Sequence, residues 1–289
     1  MAQKTNWKLA AVKFGVRLLE TIAPTLAGQV VFKMFLTPHP RPTSEIEQRI
    51  LNQAQRVIVY HGKDRLSGYV WENTGATVLL VHGWESSAGS LTPLVSPLQA
   101  QGYRVVAFDA PAHGISRAKQ TNLVDFARAI REAIDQFGPV YAIIAHSFGG
   151  AGTVVAATDG LPVERVVLLA PPARLINLVN TYAQMLSLSP RMIEEIHRNT
   201  MKIIGKPVEY FSAEYLADKL TQPGLLVHDR RDPVVPFADS EAIAAYWKAA
   251  RLFATDGLGH RNIRQNPVVV QEIMGFLAEE KLSLRLAGD

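Results

Sequence analysis

Two stretches of this chain, TVLLV at 77–81 and VYAII at 140–144, are apolar without alternation and without charge. A strand with one wet face alternates polar and apolar residues. A strand this uniformly apolar has to be covered on both faces, which is the condition of a parallel sheet held between layers of helix. Similar β-branched runs occur at 57–60, 66–71, 103–109, 163–169, 224–228 and 251–255, and helix-patterned stretches lie at about 90–101, 122–137, 148–159, 237–250 and 267–280. This alternation predicts an α/β protein with a doubly wound, mostly parallel, eight-stranded sheet.

One interval breaks the rhythm. Between 171 and 222 there is no convincing strand, only helix-like stretches near 174–187, 190–203 and 213–220. Insertions of that length are more often functional than filler, so residues 172–222 read as a helical cap on a core made of 45–171 and 223–289. Ahead of the core, residues 1–44 read as a helical extension closed by the Pro-rich linker TPHPRPTS at 37–44.

Residues 1–36 hold Lys4, Lys8, Lys13, Arg17 and Lys33 against Glu20 alone, so they carry the whole formal net charge of +4 and the rest of the chain is balanced. With no basic stripe on the body, nucleic acid is excluded as a partner. Projected as a helix, Asn6, Lys13, Arg17, Glu20 and Thr21 share one arc, and Trp7, Val12, Phe14, Leu18, Leu19 and Ile22 occupy the rest. Pro24 ends or kinks this helix, and a second apolar segment follows to about Leu36. The longest uncharged run, 21–32, is short of the roughly 20 residues a membrane span needs, and no signal peptide pattern is present. The expectation is a cytoplasmic protein. Residues 1–36 then have two candidate roles: packing against the body or a second subunit in a homodimer, or peripheral contact with the inner membrane surface. The chain has no Cys, which removes disulfides, CxxC zinc sites, iron-sulfur clusters and thiol nucleophiles.

In an open α/β sheet ligands gather at the carboxyl ends of the strands. Ser147 ends one of them, in Ala145-His146-Ser147-Phe148-Gly149, where a helical stretch begins at once. That is the setting of a nucleophile elbow, with Ala145 in place of the first glycine of G-x-S-x-G. A helix-capping serine would look the same in isolation. Asp232, in HDRRDPVV, and His260, in GLGH, sit after two later strands, and Asp229 is a second acid in the same loop. The chain order Ser, Asp, His differs from those of chymotrypsin and subtilisin.

On these residues, together with HGW at 82–84 and DAPAHGIS at 109–116, the sequence resembles the α/β-hydrolase superfamily over roughly 56–280, in particular its cap-bearing serine hydrolases of esterase and lipase type. The resemblance implies Ser147 as nucleophile, His260 as general base and acid, and Asp232, ahead of Asp229, as the residue orienting His260. It implies an oxyanion hole from the backbone N–H groups of Trp84 and Phe148. Trp84, His146, Tyr182 and Met185 are the candidate substrate-binding residues, with a packed core aromatic as the plain alternative for Trp84. His82 and His113 are expected to fix loops, and His228 stands where such proteins usually have a small residue and has no assigned role.

No cofactor and no metal are called for. The histidines lack H-x-x-x-H or H-E-x-x-H spacing, GGAG at 149–152 is not G-x-G-x-x-G, and dehalogenase or epoxide hydrolase chemistry needs a carboxylate at 147. The expected activity is hydrolysis of a small-molecule carboxylic ester through an acyl-enzyme, with short to medium acyl chains. An acyltransferase or thioesterase would use the same residues, and a hydrolase-fold binding protein with a vestigial site is the alternative from another class.

Overall fold

Each apolar run becomes a strand. A computed structural model of the chain describes residues 7–286; Lys4 and Asn6 of the predicted first helix lie outside the described residues. The strands are β1 (Gln55–His61), β2 (Asp64–Trp71), β3 (Thr77–Val81), β4 (Arg104–Phe108), β5 (Val140–His146), β6 (Arg165–Leu169), β7 (Gly224–Asp229) and β8 (Ala250–Thr255), and they form one sheet in the order β1-β2-β4-β3-β5-β6-β7-β8. The β1-β2 and β2-β4 pairs are antiparallel and all others parallel. Every residue of β3, β5, β6 and β7 is buried, as their apolar central runs require, with polar residues confined to the strand ends.

The helices are α1 (Trp7–Ile22), α2 (Pro24–Phe35), α3 (Glu45–Leu51), α4 (Val95–Ala100), α5 (Leu123–Phe137), α6 (Phe148–Ala156), α7 (Leu175–Leu186), α8 (Pro190–Ile204), α9 (Ala213–Leu216), α10 (Phe237–Tyr246), α11 (Gly259–Asn262) and α12 (Pro267–Leu286). Local chemistry sets several starts. Asn122 caps α5 by accepting the Asp125 N–H at 2.9 Å, and Ser44 and Glu47 form a reciprocal capping box on α3. Ser189 caps α8, with Pro190 in its first turn and Gly205 closing it in the left-handed region. Pro24 likewise opens α2, since a first-turn residue needs no N–H donor.

The chain divides into two compact units. The larger comprises Pro38–Ala173 and the chain from Ala213 onward, and holds the whole sheet. Tyr103 and Tyr141 stack at 5.8 Å, and both hydroxyls donate to the Leu277 carbonyl, which ties α12 to the sheet. The smaller unit joins the chain up to Thr37 with Arg174–Ser212, so the N-terminal helices α1 and α2 pack with α7 and α8. Val16, Ala27 and Val31 are buried there, Phe35 meets Tyr182 edge-on at 5.2 Å, and the Ser189 hydroxyl donates to the Glu20 carboxylate. The stretch 213–220 folds with the larger unit. Among the described residues no helix is long and apolar enough to cross a membrane.

Candidate active site

Ser147 follows β5 with φ 53° and ψ −124°, a conformation that a residue with a Cβ adopts only when its surroundings enforce it. Its N–H donates to the Leu169 carbonyl of β6 at 2.8 Å, and its own carbonyl accepts from Gly150 at 2.8 Å. Two glycines let the neighbouring backbone come close. A Cβ on Gly149 would stand 2.4 Å from the His82 carbonyl oxygen, and one on Gly83 would stand 2.9 Å from the Ser147 Cβ. The second small residue of the elbow is thus a steric requirement. The Gly83 contact also draws the loop after β3 against Ser147, with Trp84 next in the chain. Phe148 opens α6, where a backbone N–H has no partner within the helix. The Trp84 ring is half-buried and edge-on to Phe148 at 5.1 Å and to His113 at 5.2 Å, so it is packed among aromatics yet reaches the surface.

Three residues from beyond three strand ends meet here: Ser147 after β5, Asp232 after β7 and His260, in α11, after β8. His260 Nε2 lies 3.0 Å from Ser147 Oγ, and its Nδ1 lies 2.7 Å from Asp232 Oδ2. An ionised carboxylate only accepts, so Nδ1 carries the proton and Nε2 is left to accept from the serine hydroxyl. The Asp232 side chain is fully covered, and its Oδ1 accepts the N–H groups of Val234 at 2.8 Å and Val235 at 3.0 Å. Burial alone would raise its pKa. The adjoining His228 and His260 side chains and those two N–H groups outweigh burial and hold the carboxyl well below the usual carboxylate range.

Asp229, the rival acid, faces elsewhere. It accepts from Thr255 Oγ1 at 2.7 Å, Leu258 N–H at 2.8 Å and Gly257 N–H at 3.2 Å, so it builds the loop that carries His260. His228 is completely buried behind the acid. Its Nε2–H donates to the Val235 carbonyl at 3.0 Å and lies 3.4 Å from Asp232 Oδ2, while Nδ1 accepts from the Ser240 hydroxyl at 2.7 Å. It braces the turn whose N–H groups hold Asp232, a role that depends on a turn and a helix beyond its own strand. His228→Ala should lower kcat for the best substrate about tenfold with little change in KM. Undiminished kcat in a folded variant would show this brace to be idle.

Three further histidines, His82, His113 and His146, are buried, and burial holds the pKa of each well below the ordinary imidazole value. His82 donates from Nδ1 to the Gly83 carbonyl and accepts the Ala110 N–H on Nε2 at 3.0 Å, and burial pushes its pKa down to about 4. His113 donates to the Pro111 carbonyl and accepts the Glu85 N–H, with burial and then the nearby His82 pushing it down to about 3. Both pin loops beside the elbow. His146 donates from Nε2 to the His260 carbonyl at 2.9 Å, its ring lies 4.8 Å from the His260 ring, and its Nδ1 is buried without a protein partner. Trp84, Phe148 and His146 therefore gather around Ser147 in the larger unit. Tyr182 and Met185 belong to the smaller unit, Tyr182 on Phe35 and Met185 exposed on α7.

A hydroxyl hydrogen-bonded to an imidazole that is itself held by a buried carboxylate can be made nucleophilic at neutral pH. Residues 78–272, more than half of the chain, match the family described as the alpha/beta hydrolase family. A serine hydrolase-like protein of Danio rerio is 32% identical over 155 residues, which are 50% of this chain and 42% of that protein. Methylesterase 9 of Arabidopsis thaliana is 33% identical over 84 residues, 27% of this chain and 33% of that protein. The chain thus spans under half the length of these curated relatives. Among solved structures, the Pyrococcus furiosus esterase Pf2001 superposes with a TM-score of 0.65 at 20% identity, covering 84% of this chain and 98% of that one. A bromoperoxidase from Bacillus anthracis gives 0.60 at 16% identity over 78% and 100%. At those identities the likeness is one of fold. The eight-stranded sheet, its strand order and the family match agree, and the chain belongs to the alpha/beta hydrolase family.

Proposed function

We propose that the protein is a serine hydrolase that cleaves carboxylic esters of short to medium acyl chain. The observation that carries this reading is the continuous hydrogen-bonded path from Asp232 through His260 to Ser147, at 2.7 and 3.0 Å, with Ser147 on a strained strand-to-helix turn. Ser147 Oγ attacks the ester carbonyl carbon as His260 Nε2 takes its proton, and Asp232 stabilises the imidazolium that results. The carbonyl oxygen gains negative charge and accepts hydrogen bonds from the N–H groups of Trp84 and Phe148, each worth about 3–4 kcal/mol in the transition state. His260 then gives the proton to the leaving alkoxide, releasing the alcohol and leaving an acyl-serine. Water, deprotonated by the same His260, attacks that acyl carbon and frees the acid and the serine. The aromatic wall of Trp84 and Phe148 beside the turn favours a small acyl group.

Two measurements test the reading. A fluorophosphonate should label the protein at Ser147, and p-nitrophenyl esters from acetate to palmitate should be turned over fastest at octanoate or shorter. A protein that neither labels nor turns over any ester would have a vestigial site and act by binding.

A further inference from the structure

Helix α1 has two apolar faces, of which the smaller unit uses one. Val16 is buried and Leu9 and Leu19 are half-buried on the side that packs with α2 and α7. On the opposite side Trp7, Phe14, Leu18 and Ile22 are 71%, 70%, 50% and 73% exposed. At 3.6 residues per turn these four fall within an arc of about 80°, forming a ridge along a helix about 24 Å long. Isolated apolar residues at a surface are ordinary, but four large ones in line on a single helix mark a contact surface.

The charges around the ridge say what the contact is. Lys8 and Arg17 are exposed on its two flanks, with Lys8 Nζ over the Trp7 ring at 5.9 Å. The single acidic residue of α1, Glu20, is engaged by Ser189 on the inner side. Among the described residues of α1, the outer half is therefore apolar in the middle, cationic at both edges and free of carboxylates. A second copy of the chain fits this poorly: a two-fold contact through the ridge sets the same cations against each other with no acid between them. A bilayer surface with anionic headgroups fits it on both counts, since the ridge can sink to the acyl boundary while Lys8 and Arg17 reach phosphates.

We propose that α1 docks this protein on anionic phospholipid membranes, lying in the interfacial plane with Trp7, Phe14, Leu18 and Ile22 inserted. The full chain should sediment with vesicles of phosphatidylcholine containing about 40% phosphatidylglycerol, and at least about tenfold less with pure phosphatidylcholine or in about 0.5 M salt. The Trp7 emission should shift to the blue on binding, a change that Trp7→Phe removes. Phe14→Asp with Leu18→Asp, both at exposed positions, should abolish sedimentation with an unchanged circular dichroism spectrum. Should that pair lower the melting temperature, Phe14→Ser with Leu18→Ser performs the same test. Lys8→Glu with Arg17→Glu should weaken partition at least about 20-fold. Failure of the full chain to bind, or binding that survives the ridge variants, overturns the proposal. So does a dimer, seen by equilibrium sedimentation, that is lost in the ridge variants while vesicles are ignored; the ridge would then serve a second copy.

Discussion

Ser147→Ala should lower ester turnover by at least about 10³-fold and abolish fluorophosphonate labelling. The loss follows from geometry, because among the described residues the hydroxyl on His260 Nε2 is that of Ser147, at 3.0 Å. His260→Ala should cost a similar factor, and the double variant little more than either one, since base and nucleophile act in one step. Asp232→Asn keeps the shape but replaces the carboxylate oxygen facing His260 Nδ1 with an NH2 donor, which moves the imidazole proton to Nε2, so it should also be severely impaired. Asp229→Asn should instead act through the loop carrying His260 and lower stability more than it lowers kcat in the surviving folded protein. Near-normal turnover by Ser147→Ala would rule out the serine mechanism. Activity lost to a chelator would turn attention to a metal-dependent reaction.

Melting temperature should fall steeply between pH 6.5 and 4. His82 and His113 are buried and neutral in the folded chain, pushed down to about 4 and about 3, whereas in the unfolded chain they take up protons near pH 6.5. A group whose pKa is depressed by folding contributes stability that is complete above the unfolded value and is lost as pH falls toward the folded one. At about 1.4 kcal/mol per pH unit for each group, the two together remove on the order of 5 kcal/mol by pH 4, comparable with the whole stability of a typical domain. Asp232, held low, acts in the same direction at still lower pH. His61 works the other way. Burial lowers its pKa, but the Asp125 and Glu132 carboxylates on its two nitrogens outweigh burial and raise it, with Arg128 also against Nε2. Its contribution is complete below pH 6.5 and is lost as pH rises through the raised value. Being already complete on the acid side, it does not offset the loss from the depressed groups, to which buried His146 adds. A thermal melting series from pH 8 to pH 4 checks this, and a melting temperature that stays flat below pH 6.5 would contradict the neutral assignment of His82 and His113.

The sheet was legible because its strands are decided by local composition. TVLLV and VYAII have no polar face to offer water, so burial on both sides follows from the residues themselves. Ser147, Asp232 and His260 were legible because each lies just beyond the carboxyl end of a strand, and those ends converge in this architecture. The choice between Asp229 and Asp232 depends on side-chain direction. Asp229, the last residue of β7, points at the backbone of the next loop, and Asp232, three residues on, reaches His260. His228 had no readable role because its partners, the Val235 carbonyl and Ser240, come together only when the turn and α10 fold around it. The helical projection of α1 showed one wide apolar arc but could not divide it. That division comes from α2 and α7, which cover Val16 and leave Trp7, Phe14 and Ile22 bare.

The chain leaves the larger unit at Ala173 and returns at Ala213, and these two residues are hydrogen-bonded, Ala213 N–H to Ala173 carbonyl. Within the smaller unit, Arg174 and Ser212 form an isolated antiparallel bridge, and Leu175 N–H donates to the Phe211 carbonyl at 3.3 Å. The two crossings between the units therefore lie side by side in the chain's own hydrogen bonding. A tight turn could join Ala173 to Ala213 without displacing β6 or β7. A change of length confined to 174–212 therefore leaves the register of β6 and β7 untouched, so the strand-end geometry around Ser147 is insulated from it.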